Sequence, residues 1–110
     1  IDSFTDGTDV VVPTPWAAPG ETIGVENEYG HWGLSITDDS LLSGADFDNG
    51  DNFAAVLTTP TEVFHHDGPA DGSVDDEGAT TVIYKVEITE MQEAADDYTA
   101  TLTYVATPVF

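Results

Sequence analysis

The chain has 110 residues, of which 22 are Asp or Glu against the single basic residue Lys85, giving a formal net charge of −21, and it has no cysteine. One cation permits neither a surface ion-pair network nor a basic patch, which argues against nucleic acid and anionic membranes as partners. The missing thiols exclude disulfides, thiolate metal sites and cysteine catalysis.

A folded chain of this length exposes on the order of 5,900 Å², which puts its net charges roughly 17 Å apart. The Debye length is about 30 Å at 0.01 M salt and about 3 Å at 1 M. In dilute buffer the charges repel one another throughout; in molar salt only near neighbours do. Such a chain calls for a salty medium, bound cations, or both. Acid-rich chains are often disordered, but this one is 40% hydrophobic, with two Trp, four Tyr and five Phe. Its apolar residues sit in ordered patterns, so a folded core with a solvated acidic shell is expected, in one domain.

In chain order, residues 1–16 read as an extended N-terminal segment ahead of a domain over 17–110. Asp9 to Val12 is a strand-like run closed by Pro13 and Pro15. It suits either the first strand of its own domain or a strand added to another copy's sheet edge. In the second case Ile1, Phe4, Val10 and Val12 are the partner-binding anchors, with Trp16 at the joint. The start at Ile1 instead of Met fits processing, such as loss of a secretory signal.

Period-two alternation then dominates. It predicts strands over Glu21 to Glu28 (Ile23 and Val25 on one face), Trp32 to Thr37 (Trp32, Leu34 and Ile36) and Phe53 to Leu57. Two more are predicted over Thr81 to Ile88 and Tyr98 to Val105. In the Thr81 to Ile88 strand Val82, Tyr84, Val86 and Ile88 are expected to point inward, with Ile83, Lys85 and Glu87 outward. Turn signals separate the runs: Pro19-Gly20, Tyr29-Gly30, Asn49-Gly50, Thr59-Pro60, Gly68-Pro69 and Asp71-Gly72. Residues 66–79, rich in Gly and Asp, read as a long loop. Thr89 is placed to cap a helical turn from Glu90 to Ala95. The predicted fold is all-β: an antiparallel immunoglobulin-like sandwich, or a small jelly-roll-like barrel, with at most one short helical turn. No run approaches the roughly 20 apolar residues of a membrane span.

The sharpest local pattern is Asp46-Phe47-Asp48-Asn49-Gly50-Asp51-Asn52. Ca²⁺ takes six to eight oxygen ligands, which short loops supply from alternating Asp and Asn around a Gly. Asp46, Asp48 and Asp51 would give carboxylates, and Asn49 or Asn52 an amide oxygen. The EF-hand count fails, since its twelfth position falls on Leu57, and an acidic hairpin turn is the plainer reading. Asp75-Asp76-Glu77, with Asp67 and Asp71, is a second acidic run of the kind usually found in solvated loops. His65 and His66 are adjacent, so on a strand they point to opposite faces and do not chelate one ion.

Catalytic signatures are missing: there is no Gly-x-Ser-x-Gly elbow, phosphate loop or His-Glu-x-x-His. Trp16, Tyr29, Trp32 and Tyr104 are candidates for stacking on sugars, with Trp32 better read as core. Trp16 lies outside any alternation.

The stretch from Ala95 to Tyr104, which reads as a small residue, a turn and then Tyr98-Thr99-Ala100-Thr101-Leu102-Thr103, resembles the closing strand of secreted β-sandwich domains. It is most similar to WxL-type cell-surface domains and related pilin-like, fibre-forming modules. Trp32-Gly33-Leu34-Ser35-Ile36 resembles the Trp-x-Leu strand of that group. At the terminal Trp-x-Leu the chain departs, with Tyr104-Val105-Ala106. The resemblance implies an exported, non-enzymatic surface module. In composition alone, the acidic and lysine-poor chain is also similar to halophilic archaeal proteins.

These readings converge on a structural subunit of an extracellular filament, pilus or surface layer, polymerising with identical subunits. The alternative is a carbohydrate- or cell-wall-binding module using Trp16 and Tyr29, supported by Ca²⁺.

Overall fold

A computed structural model describes residues 15–47, 50–55, 58–92 and 100–108, apart from the Asn27 side chain. Two strands carry the fold. β1 is Gly30–Ile36 and β2 is Val82–Ile88, paired antiparallel with Gly30 opposite Ile88, Gly33 opposite Lys85 and Ile36 opposite Val82. The ladder runs one residue further at each end. The Thr37 N–H donates to the Thr81 carbonyl at 3.1 Å, and the Thr89 N–H to the Tyr29 carbonyl at 2.8 Å.

β1 also has a neighbour on its other edge. Leu34 exchanges both backbone hydrogen bonds with Ala54 (3.0 and 2.8 Å), and the Ile36 N–H donates to the Phe47 carbonyl at 3.1 Å. The Ser35 hydroxyl, fully buried, donates to that same carbonyl and accepts from the Gly50 N–H. β1 is therefore bonded on both edges, and every one of its residues is buried. The core is Leu34, Ile36, Leu41 and Phe47, with Ala54, Val63 and Val82 packed against it. Burial of each of Leu34, Ile36, Leu41 and Phe47 contributes about 1.5–3 kcal/mol.

The β-dominated expectation holds: among the described residues the structure is one antiparallel sheet with no α-helix. Several predicted elements differ. Glu21 to Glu28 is not a strand. Its second half is a 3-10 turn, Glu26–Glu28, and the Gly24 N–H donates to the Tyr29 hydroxyl at 2.8 Å. Gly24 sits at φ 84°, a left-handed conformation that breaks an extended run and suits glycine. Residues 100–105 lie outside any strand and are exposed, because alternation forms a strand only where a ladder partner is present. Phe53 to Leu57 contributes a single bridge residue, Ala54, with Leu57 outside the described residues. The turn after β2 is present as far as Gln92. There the Thr89 hydroxyl accepts from the Met91 N–H, and the Thr89 carbonyl from the Gln92 N–H.

The largest difference concerns β2. Opposed residues in an antiparallel pair share a face. Val82, Tyr84, Val86 and Ile88 thus lie on the face of Ile36, Leu34, Trp32 and Gly30. On that face Val82 packs against the core and the Tyr84 ring stands 6.3 Å from that of the buried Trp32. Val86 and Ile88 are exposed, whereas Lys85 and Glu87, predicted to point to solvent, are half-buried.

Candidate functional site

What half-buries Lys85 and Glu87 is Trp16. Its ring packs edge-on against His31 (4.6 Å between centroids) and Phe53 (5.1 Å). The Lys85 Nζ stands 4.5 Å from the Trp16 centroid and 5.5 Å from that of Phe53, and the Trp16 indole N–H donates to the Glu87 carboxylate. The chain's one cation is thus spent on two aromatic faces. Gly33 makes the approach feasible. A Cβ there would stand 3.3 Å from the Trp16 ring and 3.0 Å from the Ala54 carbonyl oxygen. Trp16 therefore packs, half-buried, on its own domain, and Tyr29 is buried.

The opposite face of β2 is covered only in part: the Tyr84 ring lies 6.3 Å from that of Trp32, and the residues beyond it are exposed. Val86 is 58% and Ile88 56% exposed, and Leu102, Tyr104 and Val105 are exposed too. The Tyr84 and Tyr104 hydroxyls meet. Burial and that contact push the Tyr84 phenol up to about 12. In an antiparallel ladder alternate residues bond to the same neighbour. Since Thr81 and Thr89 bond to β1, the backbone groups of Val82, Tyr84, Val86 and Ile88 point to the other edge. Among the described residues no strand pairs with that edge.

A third feature lies just past β1. Asp38 is 1% exposed, yet it is a carboxylate. Its Oδ1 accepts from the Ser40 N–H (2.8 Å) and hydroxyl (2.7 Å), and its Oδ2 from the His65 N–H (2.8 Å). Burial pushes its carboxyl up. The hydrogen bonds from His65 and Ser40, with a contribution from Asp76, outweigh this and hold it below the ordinary value of 3.8. Asp76 has φ 69°, rare for a residue with a Cβ, and its Oδ1 accepts from the Asp39 N–H. Asp38, Asp39 and Asp76 bring carboxylate oxygens within 4.8 Å of one another. Three carboxylates fit part of a hard cation's shell, with water supplying the rest. Asp38 has already committed both its oxygens to donors.

The acidic loop predicted for Ca²⁺ is described only in part. Asp48 and Asn49 lie outside the described residues. Asp46 and Asp51 are exposed, and the Asn52 amide N–H donates to Asp46 at 2.9 Å. Phe47, in the middle of the motif, is core, so the loop is fastened by its apolar residue and by Ser35. Of the second acidic run, Asp76 reaches the three-carboxylate group. Asp38 was missed by sequence reasoning. Its local signal was Asp38-Asp39-Ser40, an Asx-turn spacing, whereas its His65 and Asp76 partners come from distant sequence. Ile1, Phe4, Val10 and Val12 lie outside the described residues.

No protein-family model, curated protein or solved structure matches the chain. Among the described residues no helix is long and apolar enough to cross a membrane.

Proposed function

We propose that this chain is a non-catalytic structural module of an extracellular or cell-surface assembly, a filament, pilus or surface layer, that polymerises with copies of itself in a salty medium. The observation that carries this reading is the outer side of β2, where an edge that no strand among the described residues pairs with coincides with the exposed apolar residues Val86 and Ile88. Unpaired edges that stay apolar invite pairing, and proteins that remain monomeric blunt them. Here the edge carries Lys85 as its only cation, and that side chain is held on Trp16. The β1–β2 sheet is then one half of a sandwich-like unit whose open side is filled on assembly.

The charge of −21 sets the condition for assembly. Copies this acidic repel at low ionic strength and approach once salt screens them. Carbohydrate binding is less favoured, because Trp16 is engaged by Lys85 and Glu87 and Tyr29 is buried, leaving neither ring free to stack on a sugar. A bound cation at Asp38, Asp39 and Asp76 is compatible with the assembly as a local brace.

The test is sedimentation of the purified chain from dilute buffer to molar NaCl, with electron microscopy of the same samples. Filaments or ordered oligomers that grow with salt are expected. A chain that stays monomeric at every salt and protein concentration refutes the reading.

A further inference from the structure

We propose that His31 is a proton-operated latch on Trp16: when neutral it lets the indole sit on the sheet, and when protonated it drives the ring off. The latch is independent of the assembly reading above. It is built on one face of the sheet, where His31 of β1 lies opposite Glu87 of β2 and Gly33 lies opposite Lys85. The Trp16 ring rests over Gly33, where a Cβ would stand 3.3 Å from it, and meets the His31 ring edge-on at 4.6 Å. His31 is 7% exposed, and its Nε2 is buried with no hydrogen-bond partner among the described residues.

A neutral imidazole tolerates that position. Its hydrogen can sit on Nδ1, which leaves Nε2 with a lone pair and no donor to satisfy. An imidazolium carries N–H on both nitrogens, so the buried Nε2 becomes a charged donor that faces no acceptor. Three titratable groups stand around it. Lys85 is 4.5 Å from the Trp16 centroid and sets a like charge on the same ring. Tyr29, two residues before His31, is buried, and its hydroxyl accepts from the Gly24 N–H. Glu87 is directly across the ladder, where opposed side chains stand about 4.5–5.5 Å apart at Cβ, and it already accepts the Trp16 indole N–H. Protonated His31 and Trp16 therefore compete for one carboxylate, and the charged donor makes the stronger bond. The indole then lacks its acceptor and lies beside two cations.

Because the seated form disfavours the proton, the seat is firm at high pH and is lost as pH falls through the imidazole range of about pH 5–8. Asp and Glu stay mostly ionised across that range, so the acidic shell is little changed. Release uncovers Phe53 and Lys85, and acid thereby alters the face that the sheet presents.

The test uses the whole chain in molar NaCl, with its two Trp replaced by 5-fluorotryptophan and followed by fluorine NMR from about pH 8 to about pH 5. W16F assigns the resonances. The ratio of seated to released Trp16 is expected to fall about tenfold, while the buried Trp32 keeps its signal. The His31 imidazole resonance of the wild type is expected to titrate with the same midpoint. H31Q is expected to keep Trp16 seated at every pH, and H65Q/H66Q, which removes the other two histidines, to behave as wild type. A constant ratio in the wild type overturns the latch. So does a fall that survives in H31Q or vanishes in H65Q/H66Q, or one whose midpoint departs from that of the His31 resonance. Loss of Trp16 together with the circular-dichroism signal overturns it as well, since that is global unfolding. The two wild-type midpoints decide the matter if H31Q does not fold.

Discussion

Replacing Asp38 by Asn is the sharpest probe of what holds this fold. The side chains are nearly the same size, so packing is preserved and the change is electrical. Asp38 accepts from the Ser40 N–H, the Ser40 hydroxyl and the His65 N–H, all within 2.8 Å. Hydrogen bonds to a charged group are worth about 1.5–3 kcal/mol each. Asn keeps one acceptor oxygen, which can serve Ser40 or His65 but not both, and turns its NH₂ toward the other donor. One charge-assisted bond is lost, and a buried N–H faces another N–H. The expected cost is about 3 kcal/mol, a large share of the 5–15 kcal/mol that typically stabilises a domain. The assay is urea unfolding in molar NaCl, where repulsion is screened. Asp67→Asn serves as control, since it removes the same charge from an exposed site and should change stability by less than about 0.5 kcal/mol. Asp38→Asn within about 0.5 kcal/mol of that control refutes the claim that this carboxylate ties the end of β1 to the His65 segment.

Asp38 also sets an acid limit. Its native carboxyl is held below 3.8, so its contribution is present above that pH and is lost as pH falls through the native value. In molar NaCl, wild-type stability should fall below pH 3.8 more steeply than that of Asp38→Asn; parallel denaturant midpoints against pH would contradict this. In dilute buffer at neutral pH the melting temperature should rise with added NaCl as the 22 acids are screened, and a flat curve by circular dichroism would remove the repulsion argument. Ile36→Ala, at a fully buried position, should cost about 2–5 kcal/mol in the same unfolding assay, and a cost under about 1 kcal/mol would mean that β1 is not the core strand. Calorimetry with CaCl₂ should lose heat of binding in Asp76→Asn and keep it in Asp46→Asn; the reverse order would return the site to the Asp46 loop.

Much of the fold was legible in the chain. The alternation through Trp32, Leu34 and Ile36 and through Val82 to Ile88 located both strands, because side-chain period is a local property of extended backbone. The acid excess fixed the need for screening, since net charge does not depend on where the residues are placed. Which face of β2 is covered was not legible. Alternation divides a strand into two faces but does not say what lies over each. Trp16, far away in sequence, covers Lys85 and Glu87 through a gap left by Gly33, while Val86 and Ile88 on the apolar face are exposed. The same holds for the acids. Twenty-two carboxylates look alike in a sequence, and only the tertiary structure selects Asp38 by burying it among the donors of Ser40 and His65, with Asp76 turned toward it from the far loop. The physical reason is common to both: burial and hydrogen bonding depend on residues brought close by folding, which local pattern does not encode.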